Sequence, residues 1–226
     1  MTPLKLAYSH PWDLTADEAI RLQEILRSRV VVQPLPLSLI RTVGGVDLGF
    51  REGNARAAAV VLSFPSLDVV EQSVVEVPAQ YPYIPGLLSF RETPAILAVL
   101  EQLNRLPDVL ICDGQGLAHP RRFGIACHLG VLLDRPALGC AKSILVGRHA
   151  LLDEAPGSTV DLVDRSEVIG AAVRTCQGLK PVFVSPGHRI DVPSAIRLVL
   201  ACGRGYRLPE PTRLADRLAS RRGSEN

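Results

Sequence analysis

Apolar and polar positions alternate along the chain with two periods. Near the N-terminus Ala19, Leu22, Leu26 and Val30 recur at helical spacing. Thr15-Ala16-Asp17-Glu18 precedes them in capping-box form, which predicts a helix starting near Thr15. Residues 1–14 read as an irregular arm, and Val31 to Leu39, carrying Pro34 and Pro36, as a connector. Strand-like runs follow at Ile40–Phe50, Ala57–Phe64 and Val69–Val77, separated by turn signals at Gly53-Asn54 and Pro65-Ser66. Connections this short predict an antiparallel meander.

Ile96, Leu97, Leu100 and Leu103 mark a helix entered through Thr93-Pro94 and closed by Pro107. Val109–Cys112 reads as a short buried strand, Pro120–Leu133 as a helix and Ala137–Ala141 as a further strand. A strand–helix–strand unit of this length implies a right-handed crossover between parallel neighbours. It would set Asp113 and Lys142 at C-terminal strand ends on one edge of the sheet. Val160–Leu162, Val168–Val173 and Val182–Val184 are strand-like, and Val192–Cys202 and Glu210–Ser220 helical. Arg221–Asn226 reads as a loose tail. The whole predicts an α/β fold in which a mixed central sheet, a three-strand meander plus parallel strands, is flanked by helices.

Composition narrows the class. At 47% hydrophobic and 21% charged residues, the 226-residue chain can bury a substantial core. The net charge of +2 neither requires nor excludes nucleic acid, because local patches matter more than the sum. Arg121 and Arg122 cluster, as do Arg204, Arg207, Arg213 and Arg217. Five dispersed cysteines argue against a disulfide framework and for a reducing, cytoplasmic compartment. No signal peptide is evident, and no run approaches the ~18 apolar residues of a membrane span.

Candidate chemistry lies in acids placed beside apolar runs. Asp47 is the lone acid in the first strand, Asp113 ends the fourth, and Glu92 stands just before a helix. If the first and fourth strands form the central pair, Asp47 and Asp113 lie side by side, with Glu92 leaning over the same edge. Each acid alone has an ordinary reading: a turn residue, a helix-start charge, a loop acid. Together they would repel one another without a cation, which points to a divalent metal. Mg²⁺ suits such oxygen ligands and the activation of water at phosphorus. Lys142 would stabilise charge on a phosphate, or simply be a solvated strand end. His119 would touch phosphate or base, or cap a helix. Gly114 and Gly116 permit close backbone approach to a ligand. Tyr83, in the stiff Pro82-Tyr83-Ile84-Pro85-Gly86 loop, reads as a wedge into a base stack or as a buried loop aromatic. Asp216 is a fourth acid, on a helix face, and His188 reads as structural, with no acid near it in sequence to pair with. P-loop, GxSxG and HExxH patterns are absent from the sequence, which weakens kinase, serine-hydrolase and zincin readings.

These motifs together resemble the endonuclease V family. The resemblance rests on Gly45-Val46-Asp47, on Pro82 to Gly86 with Phe90-Arg91-Glu92, on Asp113 to Arg121, on Gly139 to Ser143, on Ser185 to His188 and on Arg207 to Arg213. It spans nearly the whole chain and implies a ribonuclease-H-like core in a single domain, residues 1–226. It further implies a DNA repair endonuclease that recognises deoxyinosine, the deaminated form of deoxyadenosine. The expected product comes from hydrolysis of the second phosphodiester bond 3′ to the lesion, leaving 3′-hydroxyl and 5′-phosphate ends. By this resemblance Asp47, Asp113 and Glu92 bind Mg²⁺, with Mn²⁺ able to substitute, and Lys142 assists at the phosphate. Tyr83 is the wedge, and Gly86, Gly114, Gly116, His119 and Arg121 surround the flipped base. Asp216 is an accessory residue. The expected partner is deoxyinosine-containing DNA, including single strands, or inosine-containing RNA; the protein would act as a monomer, away from membranes. Two other readings stand beside this one: an inosine-specific endoribonuclease, and a non-catalytic nucleic-acid-binding module on the same fold.

Overall fold

The computed structural model describes residues 4–220, so the expected tail at 221–226 lies outside the described residues. Helix α1, Ala16–Arg27, begins at Thr15 with the full capping box: the Glu18 carboxylate accepts from the Thr15 amide at 2.8 Å, and Thr15 Oγ1 accepts from the Glu18 amide at 3.3 Å. Ala19, Gln23 and Leu26 form its buried face. Val30, expected on that face, lies past the helix end.

The meander forms as β1 (Thr42–Arg51), β2 (Asn54–Ser63) and β3 (Val69–Pro78). Helix α2 (Leu88–Glu101) leads to β4 (Val109–Cys112), α3 (Ile125–Leu133) and β5 (Ala137–Ala141). The remainder is β6 (Thr159–Asp164), β7 (Glu167–Val173), β8 (Val182–His188), α4 (Val192–Ala201) and α5 (Glu210–Ser220). All eight strands join one sheet in the order β3-β2-β1-β4-β5-β8-β7-β6. The β1–β4 and β4–β5 pairs are parallel and the others antiparallel. The mixed α/β architecture thus agrees with the periodicity, and the crossover through α3 makes β4 and β5 parallel neighbours as expected.

Two helix boundaries differ from expectation. α2 starts at Leu88 rather than after Pro94, so Pro94 lies inside it and Glu92 lies within it rather than before it. A proline there removes one helical hydrogen bond. The burial of Leu87 and Phe90 against Tyr81 and Ala19 holds the first turn in place regardless. α3 starts at Ile125 rather than Pro120, because Arg122 takes a left-handed backbone (φ 55°) that a helix cannot contain.

Side chains divide between the faces of the sheet. Val43, Val109, Ile111, Leu138 and Val184 pack with α4 and α5, and Val46, Ala57, Leu110 and Cys112 with α2 and α3. α3 is buried on every side, since the arm and α1 cover the face turned from the sheet. The arm is anchored where the Ala7 amide donates to the Leu132 carbonyl at 2.7 Å. All five cysteines are free thiols. Among the described residues no helix is long and apolar enough to cross a membrane.

Candidate active site

Strand register brings the first two acids together. Val46 pairs with Cys112 across the parallel β1–β4 ladder, so the next residues, Asp47 and Asp113, stand side by side where β4 ends and β1 continues. Asp47 shares a sheet face with Gly45 and Gly49, two residues to either side. α5 runs along that face. A Cβ at Gly45 would meet the Pro211 carbonyl oxygen at 2.0 Å, and one at Gly49 would meet that of Ala219 at 3.5 Å. Four residues of strand and eight of helix both cover roughly 12–13 Å. The midpoint of the strand segment, Asp47, therefore faces the stretch of α5 that carries Asp216. The close approach at Gly45 requires glycine.

As a result Asp47, Asp113 and Asp216 each offer a carboxylate oxygen within 4.8 Å of the others. Lys142, just past the end of β5, completes the cluster: Nζ lies 2.6 Å from Asp113 Oδ2 and 3.0 Å from Asp216 Oδ1. Burial works against the Lys142 charge, but these two carboxylates raise its pKa well above the usual lysine range. Burial, and then the Asp113 charge, push Asp47 up to about 7. Glu92 lies outside the group of three but is close enough to feel it; burial first, then Asp47 and Asp113, push it up to about 8. The all-oxygen donor set, the mutual repulsion and the ammonium already drawn between two of the acids fit a hard divalent cation.

A cavity of about 360 Å³ opens beside this cluster. Tyr83, Gly86, Gly114, His119, Leu88 and Ile144 are among its lining residues, and Asp113 and Lys142 form its wall on the acidic side. Tyr83 is 68% exposed at the tip of its loop, not a buried loop aromatic. The Gln115 side-chain amide donates to the Ser143 carbonyl at 2.9 Å and so ties together the loops after β4 and β5.

Two residues expected around a base do not line this cavity. The Gly116 amide donates to Ser185 Oγ at 2.8 Å, packing that residue onto β8. Arg121 sits behind the Tyr83 loop, where Nη2 donates to the Gly86 carbonyl at 2.6 Å. His119 Nε2 reaches the same carbonyl at 3.0 Å, and its Nδ1 accepts from the Arg121 amide at 3.2 Å. Burial, helped by the Arg121 charge, lowers the His119 pKa to about 4, so the ring is neutral and its proton belongs on Nε2. His188, for which no acid stood near in sequence, has one in the fold: Asp134 Oδ1 lies 3.2 Å from its Nε2, and its Nδ1 accepts from the Val31 amide at 3.2 Å. The periodicity missed Gln23, whose amide reaches this loop from α1, and Ile144 and Leu145, which line the cavity from a segment without period.

The chain is similar to known proteins over nearly its whole length. A sequence model described as Endonuclease V matches residues 24–217. Endonuclease V of Trichormus variabilis is 53% identical over 221 residues, covering 97% of this chain and all of that one. The crystal structure of endonuclease V from Streptomyces avermitilis superposes with a TM-score of 0.88 at 42% identity, covering 96% of each chain. Endonuclease V of Ciona intestinalis, solved in complex with a 24mer DNA containing an inosine followed by a ribo-adenosine, gives a TM-score of 0.78 at 29% identity, covering 90% of this chain and 95% of that one. The chain belongs to the endonuclease V family.

Proposed function

We propose that this endonuclease is a Mg²⁺-dependent DNA repair enzyme that recognises deoxyinosine and hydrolyses the second phosphodiester bond 3′ to it. The observation that carries this reading is the cavity that joins the exposed Tyr83 to Asp113 and Lys142. The recess that would take a base is walled by Asp113 of the carboxylate cluster. At about 360 Å³ its size is within the range of small-ligand sites, roughly 300–1,000 Å³. The inosine-containing DNA bound by the Ciona relative supports the choice of lesion.

Extruding a base costs a few kcal/mol, least at a mispair, which favours deaminated sites from the outset. Tyr83 would fill the gap left in the stack, and the walls formed by Gly86, Gly114 and His119 would hold the flipped hypoxanthine. Asp47, Asp113 and Asp216 would hold Mg²⁺, with Mn²⁺ able to substitute; such an ion supplies Lewis-acid activation of a phosphoryl oxygen. Lys142 brings positive charge to the same edge, where the phosphate gains negative charge. Glu92, set back from the three aspartates, would accept a proton from the attacking water. The water oxygen bonds to phosphorus as the bond from phosphorus to O3′ breaks. O3′ takes a proton from solvent as it leaves, and the phosphate stays on the 5′ end of the downstream fragment.

A labelled duplex with a single deoxyinosine tests this directly. A Mg²⁺-dependent cut at the second 3′ phosphodiester is expected; an unchanged cut under chelation, or a cut on an unmodified duplex with equal efficiency, rejects it. The ribo-adenosine in the Ciona complex favours a second reading, in which inosine in RNA is the substrate. Matched DNA and RNA strands separate the two, since strong preference for RNA would reverse the assignment.

A further inference from the structure

Gln23 is a polar side chain on an otherwise apolar helix face. It lies between Ala19 and Leu26 on the inner side of α1 and is 1% exposed. Burying an amide is costly unless its donors and acceptor find partners. Here they all do. Nε2 donates to the Gly86 carbonyl at 3.1 Å and to the Phe123 carbonyl at 3.3 Å, and Oε1 accepts from Arg121 Nε at 2.5 Å. The Gly86 carbonyl thus receives Gln23, His119 and Arg121 together.

The clamp grips a particular corner. Gly86 turns with a left-handed backbone, φ 79°, and a Cβ there would meet Arg121 Nη2 at 2.8 Å. On the protein side of the corner, Tyr81 and Leu87 are buried against Ala19 of α1. On the solvent side Tyr83 stands free. The loop therefore has a fixed foot and an exposed tip, and the fixing residue comes from a helix remote in sequence. None of the clamp groups belongs to the Asp47, Asp113 and Asp216 cluster.

We propose that Gln23 is a positioning residue for lesion recognition: through the Gly86 carbonyl it presets the Tyr83 loop in its binding geometry. This rests on the deoxyinosine reading given above. A preset loop loses less conformational freedom on binding, so the clamp acts on affinity for the lesion and not on the chemical step.

Gln23→Met keeps the side-chain volume and removes the donors and the acceptor. For the full chain with a deoxyinosine duplex, KM should rise about tenfold while kcat stays within about twofold. Affinity for the unmodified duplex should not change, and amide hydrogen exchange over residues 82–87 should accelerate. If Gln23 acts through the loop, adding Gln23→Met to Tyr83→Ala should weaken lesion binding no further than Tyr83→Ala alone. The proposal is overturned if loop exchange and KM are unchanged, if the two substitutions add in full, or if kcat on the deoxyinosine duplex falls by as much as KM is expected to rise. A wild-type protein that fails to distinguish deoxyinosine would overturn the recognition reading itself, and loop exchange would still report whether the clamp exists.

Discussion

Around Asp47, Asp113 and Asp216 the fold gathers negative charge that Lys142 offsets in part, whereas around Gly86 it directs neutral and cationic donors onto a single carbonyl. The first region is built on strands and a helix packed backbone to backbone at Gly45; the second is a loop held by side chains. The acidic edge is held by close backbone packing and leaves its charge incompletely balanced, an arrangement that fits a divalent cation. The loop corner is saturated with hydrogen bonds and carries an exposed tip, as suits a surface that meets a deformable partner. The two regions share one groove but few residues, so substitutions should separate hydrolysis from recognition.

The largest expected effect is at the acidic edge. Asp113→Ala should lower kcat by at least about a hundredfold while lesion binding persists, because it removes a charge adjacent to both Asp47 and Lys142. Cleavage at the wild-type rate in single-turnover assays would break the assignment. Asp216→Asn keeps the shape of α5 and removes one charge of the cluster; a loss of about 10–100-fold in cation affinity is expected by calorimetry. Unchanged affinity would reduce the site to Asp47 and Asp113. Tyr83→Ala should weaken lesion binding about tenfold and leave cation binding untouched. Equal discrimination before and after the change would reject the wedge.

The smallest effect is a titration. In the cation-free protein Asp47 and Glu92 keep protons that the unfolded chain has already lost, up to about 7 and about 8. The folded state binds more protons across that window, so its stability falls as pH rises from the ordinary carboxylate range toward 8. Cation binding must displace those protons, so affinity should increase over the same window with proton release detectable in a weakly buffered solution. His119 runs the other way: its folded pKa of about 4 lies below the ordinary 6.5, so the stability from its neutral ring is lost as pH falls from 6.5 toward 4. A flat stability profile in both windows would mean that these groups are better solvated than their burial implies.

Much of this was legible in the residue pattern. The meander and the β4–α3–β5 crossover follow from period, turn residues and handedness, which are local properties of the chain; the adjacency of Asp47 and Asp113 is conditional on β1 pairing with β4, a pairing the sheet supplies. The helix starts were less legible. Pro94 reads as an entry, but apolar burial of Leu87 and Phe90 carries α2 through it. Pro120 reads as another, but the left-handed Arg122 delays α3 to Ile125. Gln23 reads as an interruption of an apolar stripe, since nothing in α1 itself signals that it meets Gly86, 63 residues away.

By itself, then, the sequence determined the strands of the meander, the parallel β4–β5 pair and the candidate acids Asp47 and Asp113, because turn chemistry, periodicity and crossover hand are set by short-range sterics and patterning. Tertiary structure alone decided that Asp216 joins Asp47 and Asp113, that Glu92 stands back, and that Gln23, His119 and Arg121 converge on one carbonyl. Those outcomes depend on the distance at which α5 and α1 dock. That distance is set by packing at Gly45 and at the Gly86 corner, contacts between segments that no local period connects.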